Sequence, residues 1–128
     1  MKTAFIIHGF NGDTSYTFGP SLTSFLEEKG YKVFLPKLPI RLEASYEKWS
    51  KILDEYKEYF NEETIVVAHS IGNPFFIRYL NNNNLKCKLY ISVAGFCDLF
   101  KVPDREDLNT AFVDLQLVKK TLIIWRKM

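Results

Sequence analysis

The sequence is poor in histidine and cysteine, the side chains that most often bind transition metals and, for histidine, transfer protons at neutral pH. It has only two histidines, His8 and His69, and only two cysteines, Cys87 and Cys97. Two cysteines cannot form a zinc site by themselves, and neither histidine is spaced to complete one. Without a secretory signal, two cysteines also favour reduced thiols in the cytosol. We therefore expect a cytoplasmic protein with no metal and no cofactor.

Long apolar runs and an excess of one charge are also missing. No apolar stretch approaches the length of a membrane span. The first run, residues 4–7, is closed by His8 and Gly9, which indicates a strand and not a signal peptide. The 17 basic and 15 acidic side chains are interspersed and leave a net charge of +2, so no basic patch is indicated. We expect neither a membrane nor a nucleic acid as partner.

Apolar runs alternate with segments of helical spacing along the 128 residues. The predicted strands are residues 4–8, 31–35, 64–68, 88–94 and 121–125. Predicted helices begin near Pro20, after the N-cap Ser45, just after Ser70 and at Asp114. This alternation predicts one α/β domain with a doubly wound, mainly parallel five-stranded sheet and helices on both faces. If the turn at Ser70 lies at a switch point, strands one and three are neighbours and the loop of residues 9–12 faces it.

The five residues from Ala68 to Gly72, with Ser70 at their centre, carry the main chemical signal. An apolar run precedes them and a predicted helix follows, which is the arrangement of the nucleophile elbow in α/β-hydrolases. A serine nucleophile needs a base and two donors for the developing oxyanion. The candidate donors are the N–H of Ile71 and an N–H in the loop after strand one, at Phe10 or Asn11.

The order of several segments resembles the small serine hydrolases typified by the retinoblastoma-binding serine hydrolase. The matching segments are residues 6–10, 31–36, Trp49, 67–72 and 92–96. The resemblance implies an α/β-hydrolase-like fold, Ser70 as nucleophile, and an oxyanion hole near Phe10 and Ile71. It also implies a catalytic Asp after a strand matching residues 121–125 and a still later His. Neither is present before Met128, so we expect a C-terminally truncated member without its last strand–helix units.

The remaining candidates for acid–base chemistry are few. His8 ends the first strand and is a candidate for a substitute base or for an orienting role in the loop. We interpret His69 as a structural residue of the turn, with its side chain directed away from Ser70. Four acids qualify as acid–base candidates by residue type only: Asp98, Asp104, Asp107 and Asp114. Cys97 is expected to be a buried, inert thiol.

Two functions remain open from the sequence. The first is a serine hydrolase of small esters, thioesters or related acyl compounds, inactive or incomplete in this chain because no base follows Ser70. The second is a non-catalytic remnant or protein-binding module that keeps the fold. A flavodoxin-like or receiver-like domain would share the sheet order, but residues 9–12 are a weak match to a phosphate loop.

The apolar run at residues 121–125 predicts self-association. As the last parallel strand it would present an uncharged, unpaired edge, and such edges are templates for pairing. We expect a homodimer through this edge or a poorly ordered tail, and light scattering should give a larger mass for the intact chain than for a version ending at Lys119. A stable, ordered monomer with this strand centrally paired would contradict the prediction.

Overall fold

A computed structural model describes residues 1–10, 12 and 18–93 of the chain. In this part, four strands alternate with three α-helices. In chain order they are β1 (Thr3–Ile7), α1 (Gly19–Glu28), β2 (Lys32–Phe34), α2 (Tyr46–Asp54), β3 (Ile65–His69), α3 (Gly72–Asn82) and β4 (Leu89–Val93). Short 3₁₀ turns lie at Arg41–Glu43 and Lys57–Tyr59. None of the helices in the described ranges is long and apolar enough to cross a membrane.

The four strands form one parallel sheet in the order β2-β1-β3-β4. The register pairs Ile7 of β1 with Ala68 of β3, and Ala68 with Ser92 of β4. The chain therefore leaves β1 towards one edge of the sheet and leaves β3 towards the other. The carboxyl ends of β1 and β3 meet at this reversal, which is where ligand sites lie in open α/β sheets. The predicted doubly wound order is confirmed.

Both faces of the central strands are covered. Phe5 and Ile7 of β1 lie in one core cluster with side chains of α2 and α3. Ala4 and Ile6 alternate with them along the strand and are equally buried. A strand buried on both faces needs a layer on each side, and α1 contacts the sheet at β2. The main cluster is built from Phe5, Ile7, Leu38, Ala44, Trp49, Leu53, Val66, Ala68, Ile71, Phe75, Phe76 and Tyr79.

The second helix is shorter than its apolar spacing predicts. Tyr56 and Phe60 extend the apolar face of α2, but the helix ends at Asp54. The chain instead turns so that the Tyr59 carbonyl accepts a hydrogen bond from Thr3 Oγ1 at 2.6 Å. The Phe60 ring then stacks on Phe5 with centroids 4.2 Å apart. Contacts with β1 thus replace one more turn of helix, while both rings still pack against the core.

Strand ends shift by one or two residues from their predicted positions. β1 ends at Ile7, one residue before His8, and β3 continues through His69. The predicted strand at residues 121–125 and the predicted helix from Asp114 lie outside the described residues. The five-stranded count therefore stays a prediction.

Two serines of α2 give a matched test of helix capping. Ser45 is the N-cap, and its Oγ accepts from the Lys48 N–H at 3.1 Å. Ser50 Oγ is buried and has no hydrogen-bond partner among the described residues. We expect Ser45→Ala to lower the free energy of unfolding by about 1 kcal/mol. Ser50→Ala should leave it unchanged or raise it, because it removes an unsatisfied polar group. Urea denaturation of both variants would check this, and equal losses would contradict it.

Candidate active site around Ser70

Ser70 lies on the tight turn between β3 and α3. Its φ is 53°, in the left-handed region that side chains other than glycine rarely adopt. Such a conformation costs on the order of 1–3 kcal/mol and persists only where surrounding contacts enforce it. The predicted position of Ser70 on a turn between a strand and a helix is confirmed. The turn brings Ser70 to the reversal point between β1 and β3.

Two glycines allow this turn to pack against the end of β1. A Cβ on Gly9 would lie 3.0 Å from Ser70 Cβ, so the loop after β1 passes directly over Ser70. A Cβ on Gly72 would lie 2.8 Å from the His8 carbonyl oxygen, closer than real Cβ atoms approach. The predicted contact between this loop and the Ser70 turn is therefore present at Gly9. Gly12 lies opposite Gly9 in an isolated antiparallel bridge.

Backbone and side-chain hydrogen bonds hold the turn on its other side. The Ser70 N–H donates to the Val93 carbonyl at the end of β4, at 3.0 Å. The Ser70 carbonyl accepts from two groups of Asn73, the backbone N–H and Nδ2, each at 3.0 Å. Asn73 Nδ2 also lies 3.4 Å from the Val93 carbonyl oxygen. One fully buried amide thus links both sides of the turn.

Tyr90 fixes the orientation of the Asn73 amide. Its hydroxyl donates towards Asn73, 3.2 Å from Oδ1 and 3.3 Å from the backbone oxygen. Burial, with a smaller contribution from Cys87, raises the pKa of the Tyr90 phenol well above its usual range. The phenol therefore stays protonated and can act as a donor at neutral pH.

The two predicted oxyanion donors lie at the same end of the sheet. Ile71 is fully buried at the N-cap of α3, where helix N–H groups lack intrahelical partners and the helix dipole favours negative charge. Phe10 follows Gly9, and its carbonyl accepts from the Arg41 N–H at 2.8 Å, which anchors the loop. Asn11, the alternative donor, lies outside the described residues. That Phe10 and Ile71 N–H groups bind an oxyanion stays a prediction.

His8 is engaged in holding the loop. Its Nδ1 lies 2.8 Å from the Gly9 carbonyl oxygen, so this nitrogen must carry the proton. Its Nε2 accepts from the Leu38 N–H at 3.0 Å. Both ring nitrogens are thus used by the backbone, and the ring is almost fully buried. This geometry favours the orienting role for His8 and leaves no free nitrogen to take a proton from Ser70.

His69 faces the start of α1. Its ring lies edge-on to Phe18, with centroids 6.0 Å apart. Its Nδ1 lies 3.2 Å from the position that a Cβ on Gly9 would occupy. These contacts fit the interpretation of His69 as a structural residue of the turn, and the expected direction of its side chain, away from Ser70, stays a prediction.

A pocket of about 310 Å³ opens beside the same loop. It is lined by His8, Gly12 and the four residues 37–40. The Trp49 indole N–H donates to the Pro39 carbonyl at 2.8 Å and holds this wall in place. The lining is mainly apolar, with Lys37 as its cation, so the pocket suits an apolar group better than a strongly polar one.

The other predicted acid–base candidates lie outside the described residues. These are Asp98, Asp104, Asp107 and Asp114, together with Cys97. Within residues 1–10, 12 and 18–93, no cluster of three His, Cys, Asp or Glu side chains is arranged to hold a metal.

Sequence reasoning missed Asn73 and Tyr90. Asn73 stands three residues after Ser70, a spacing at which an Asn side chain can bond the backbone of a turn, so this signal was available. The partner Tyr90 comes from a neighbouring strand, and only the sheet register brings it near.

Comparisons with known proteins agree with this architecture. No protein-family model matches the chain. YdeN, a proposed hydrolase of Bacillus subtilis (strain 168), is 32% identical over 97 residues, which cover 74% of this chain and 51% of YdeN. The crystal structure of the B. subtilis ydeN gene product matches with a TM-score of 0.70 and 29% identity, over 89% of this chain and 61% of that chain.

More distant solved structures share the same fold. An extracellular α/β-hydrolase from a Paenibacillus species has a TM-score of 0.56 at 17% identity, over 80% of this chain and 43% of that chain. The monoacylglycerol lipase of Paleococcus ferrophilus has a TM-score of 0.59 at 25% identity, over 81% of this chain and 43% of that chain. The chain therefore has the α/β-hydrolase fold and is homologous to YdeN. It spans about half the length of YdeN.

Because Gly72 approaches the end of β1 so closely, adding a single methyl group at this position should strongly destabilise the fold. Gly72→Ala places a Cβ against the His8 backbone oxygen, which no side-chain rotation relieves. We expect the free energy of unfolding to fall by about 1–3 kcal/mol, as in overpacked cores. Asn81→Ala, on an exposed position of the same helix, is the control and should not destabilise. Equal urea midpoints for the two variants would show that the turn has more room than the structure gives it.

Proposed function

We propose that the protein is of the serine hydrolase type, with Ser70 as the nucleophile for small esters, thioesters or related acyl compounds. We also propose that this 128-residue chain is inactive or incomplete, because it holds no histidine after Ser70. The observation that carries this proposal is the left-handed Ser70 turn at the carboxyl end of β3, where the connections that follow β1 and β3 leave towards opposite edges of the sheet. The similarity to YdeN supports hydrolysis as the reaction class. The resemblance to the retinoblastoma-binding type of small serine hydrolase supports serine as the nucleophile.

In the proposed reaction, Ser70 Oγ attacks the acyl carbon, and the carbonyl oxygen becomes an oxyanion. The N–H groups of Ile71 and Phe10 would stabilise that charge at the end of the sheet. Collapse of this intermediate would break the bond to the alcohol or thiol, which leaves with a proton, and water would then hydrolyse the acyl-enzyme, releasing the carboxylic acid and restoring the Ser70 hydroxyl. The Ser70 proton needs a base, and His8 is occupied by two backbone groups in this arrangement. The resemblance places the base on a histidine after Ser70, and the 128 residues contain none.

A second candidate is a binding protein that keeps the fold without turnover. The engagement of both His8 nitrogens favours it, because neither is free to activate Ser70. The two candidates differ in whether Ser70 reacts with an acyl donor.

For either candidate we propose a cytoplasmic location, from the cysteine content, and a homodimer through the strand predicted at residues 121–125.

Labelling with a fluorophosphonate separates the two candidates. We expect slow, stoichiometric modification of Ser70 in the 128-residue chain, none in Ser70→Ala, and negligible steady-state hydrolysis of p-nitrophenyl acetate. Loss of a triad member costs roughly 10⁴-fold or more in turnover, while the oxyanion hole keeps some reactivity. Absence of label on Ser70 would favour the binding protein.

Rapid turnover that Ser70→Ala abolishes would contradict the expected inactivity. His8→Ala would then show whether His8 leaves its backbone partners to act as the base. Folding of each variant is checked by circular dichroism, so that loss of labelling is not confused with loss of structure.

A further inference from the structure

We propose that Asn73 is a positioning residue that aims the Ile71 N–H into the oxyanion site by holding the Ser70 carbonyl. This inference rests on the proposed function, because it concerns the same site. Asn73 itself touches no reacting atom in the scheme above.

The argument starts from the peptide bond between Ser70 and Ile71. A trans peptide is planar, so the Ser70 carbonyl and the Ile71 N–H point in opposite directions. Whatever fixes the direction of that carbonyl also fixes the direction of the N–H. Two donors of Asn73, its backbone N–H and Nδ2, fix the carbonyl at 3.0 Å each.

The hydrogen bond from Asn73 Nδ2 adds a link to β4 that the helix backbone alone does not supply. A helical N–H three residues on can bond a turn carbonyl in almost any sequence. Asn73 Nδ2 also reaches the Val93 carbonyl, which accepts the Ser70 N–H. The amide therefore holds the Ser70–Ile71 peptide directly and the His69–Ser70 peptide through the Val93 carbonyl. These two peptides flank the residue whose φ of 53° needs such support.

The orientation of the amide is determined by its neighbours. Ser70 and Val93 present carbonyl oxygens, which only accept, so the amide must turn its nitrogen towards them. Its Oδ1 then faces the Tyr90 hydroxyl, 3.2 Å away. All three partners agree with a single orientation, and Asn73 is fully buried.

Asn73→Asp is the sharpest test, because it keeps the shape and replaces the donor by an acceptor. We expect the rate of fluorophosphonate labelling at Ser70 to fall by about 10- to 100-fold, less than the roughly 10²- to 10³-fold effect of removing an oxyanion donor, because the Ile71 N–H is misdirected and not removed. Tyr90→Phe keeps Asn73 but removes the group that orients it, and should give a smaller fall. Asn83→Ala is the matched control, since its Nδ2 donates to the Tyr79 carbonyl at the far end of α3.

A second readout separates this inference from the proposed function. The amide resonance of Ile71 in ¹⁵N-labelled protein should move in Asn73→Asp and Tyr90→Phe and stay in place in Asn83→Ala. If wild-type Ser70 does not label at all, the proposed function fails, and the resonance alone decides whether Asn73 positions this N–H. If Asn73→Asp does not fold, comparing the labelling rate and the Ile71 resonance of Tyr90→Phe with those of Asn83→Ala still tests whether Asn73 positions the Ile71 N–H. Unchanged Ile71 resonances in the folded variants, or labelling as fast as in Asn83→Ala, would overturn the proposal.

Discussion

The close approach between the Ser70 turn and the end of β1 is the constraint on which the rest of this structure depends. β1 and β3 pair along their length, and the chain must turn sharply at the end of β3 to start α3. The turn fits because Gly9 presents no side chain to Ser70, and Gly72 presents none to Ile7 and His8 at the end of β1. A larger residue at Gly72 would separate α3 from β1 and open the same core that Phe5 and Phe75 close.

The loop facing this turn is held by side chains that replace missing strand pairing. After β2, the prolines at positions 36 and 39 prevent the chain from continuing as a hydrogen-bonded strand. Buried backbone groups still need partners. His8 Nε2 accepts from Leu38, and the Trp49 indole donates to the Pro39 carbonyl. His8 is thus committed to structure by the residues that follow β2, which explains why a histidine beside the site offers no free base.

Much of the fold could be predicted from local patterns, because apolar periodicity and N-cap chemistry act over a few residues. Ser45 begins α2, and Ser70 begins the turn before α3, as their neighbours in sequence indicate. The end of α2 could not be predicted, because the contacts that stop it join Tyr59 to Thr3, 56 positions away. The orienting role of His8 is among its predicted roles, but its partner Leu38 could not be predicted. The Tyr90–Asn73 pair depends on strand register, which a single sequence does not reveal.

The backbone strain at Ser70 indicates that this position needs a serine for a reason other than folding. A parallel sheet with covering helices does not require a left-handed serine, and a glycine would adopt φ near 53° without the cost. The chain nevertheless has a serine there, and surrounds it with Val93, Asn73 and Gly9 contacts that enforce the conformation. Strain maintained by that many partners favours a role for the hydroxyl itself. The same contacts would hold Ser70 in place whether a base is present or not, so the geometry of this proposed nucleophile is a property of the fold, and its activation would be a separate requirement.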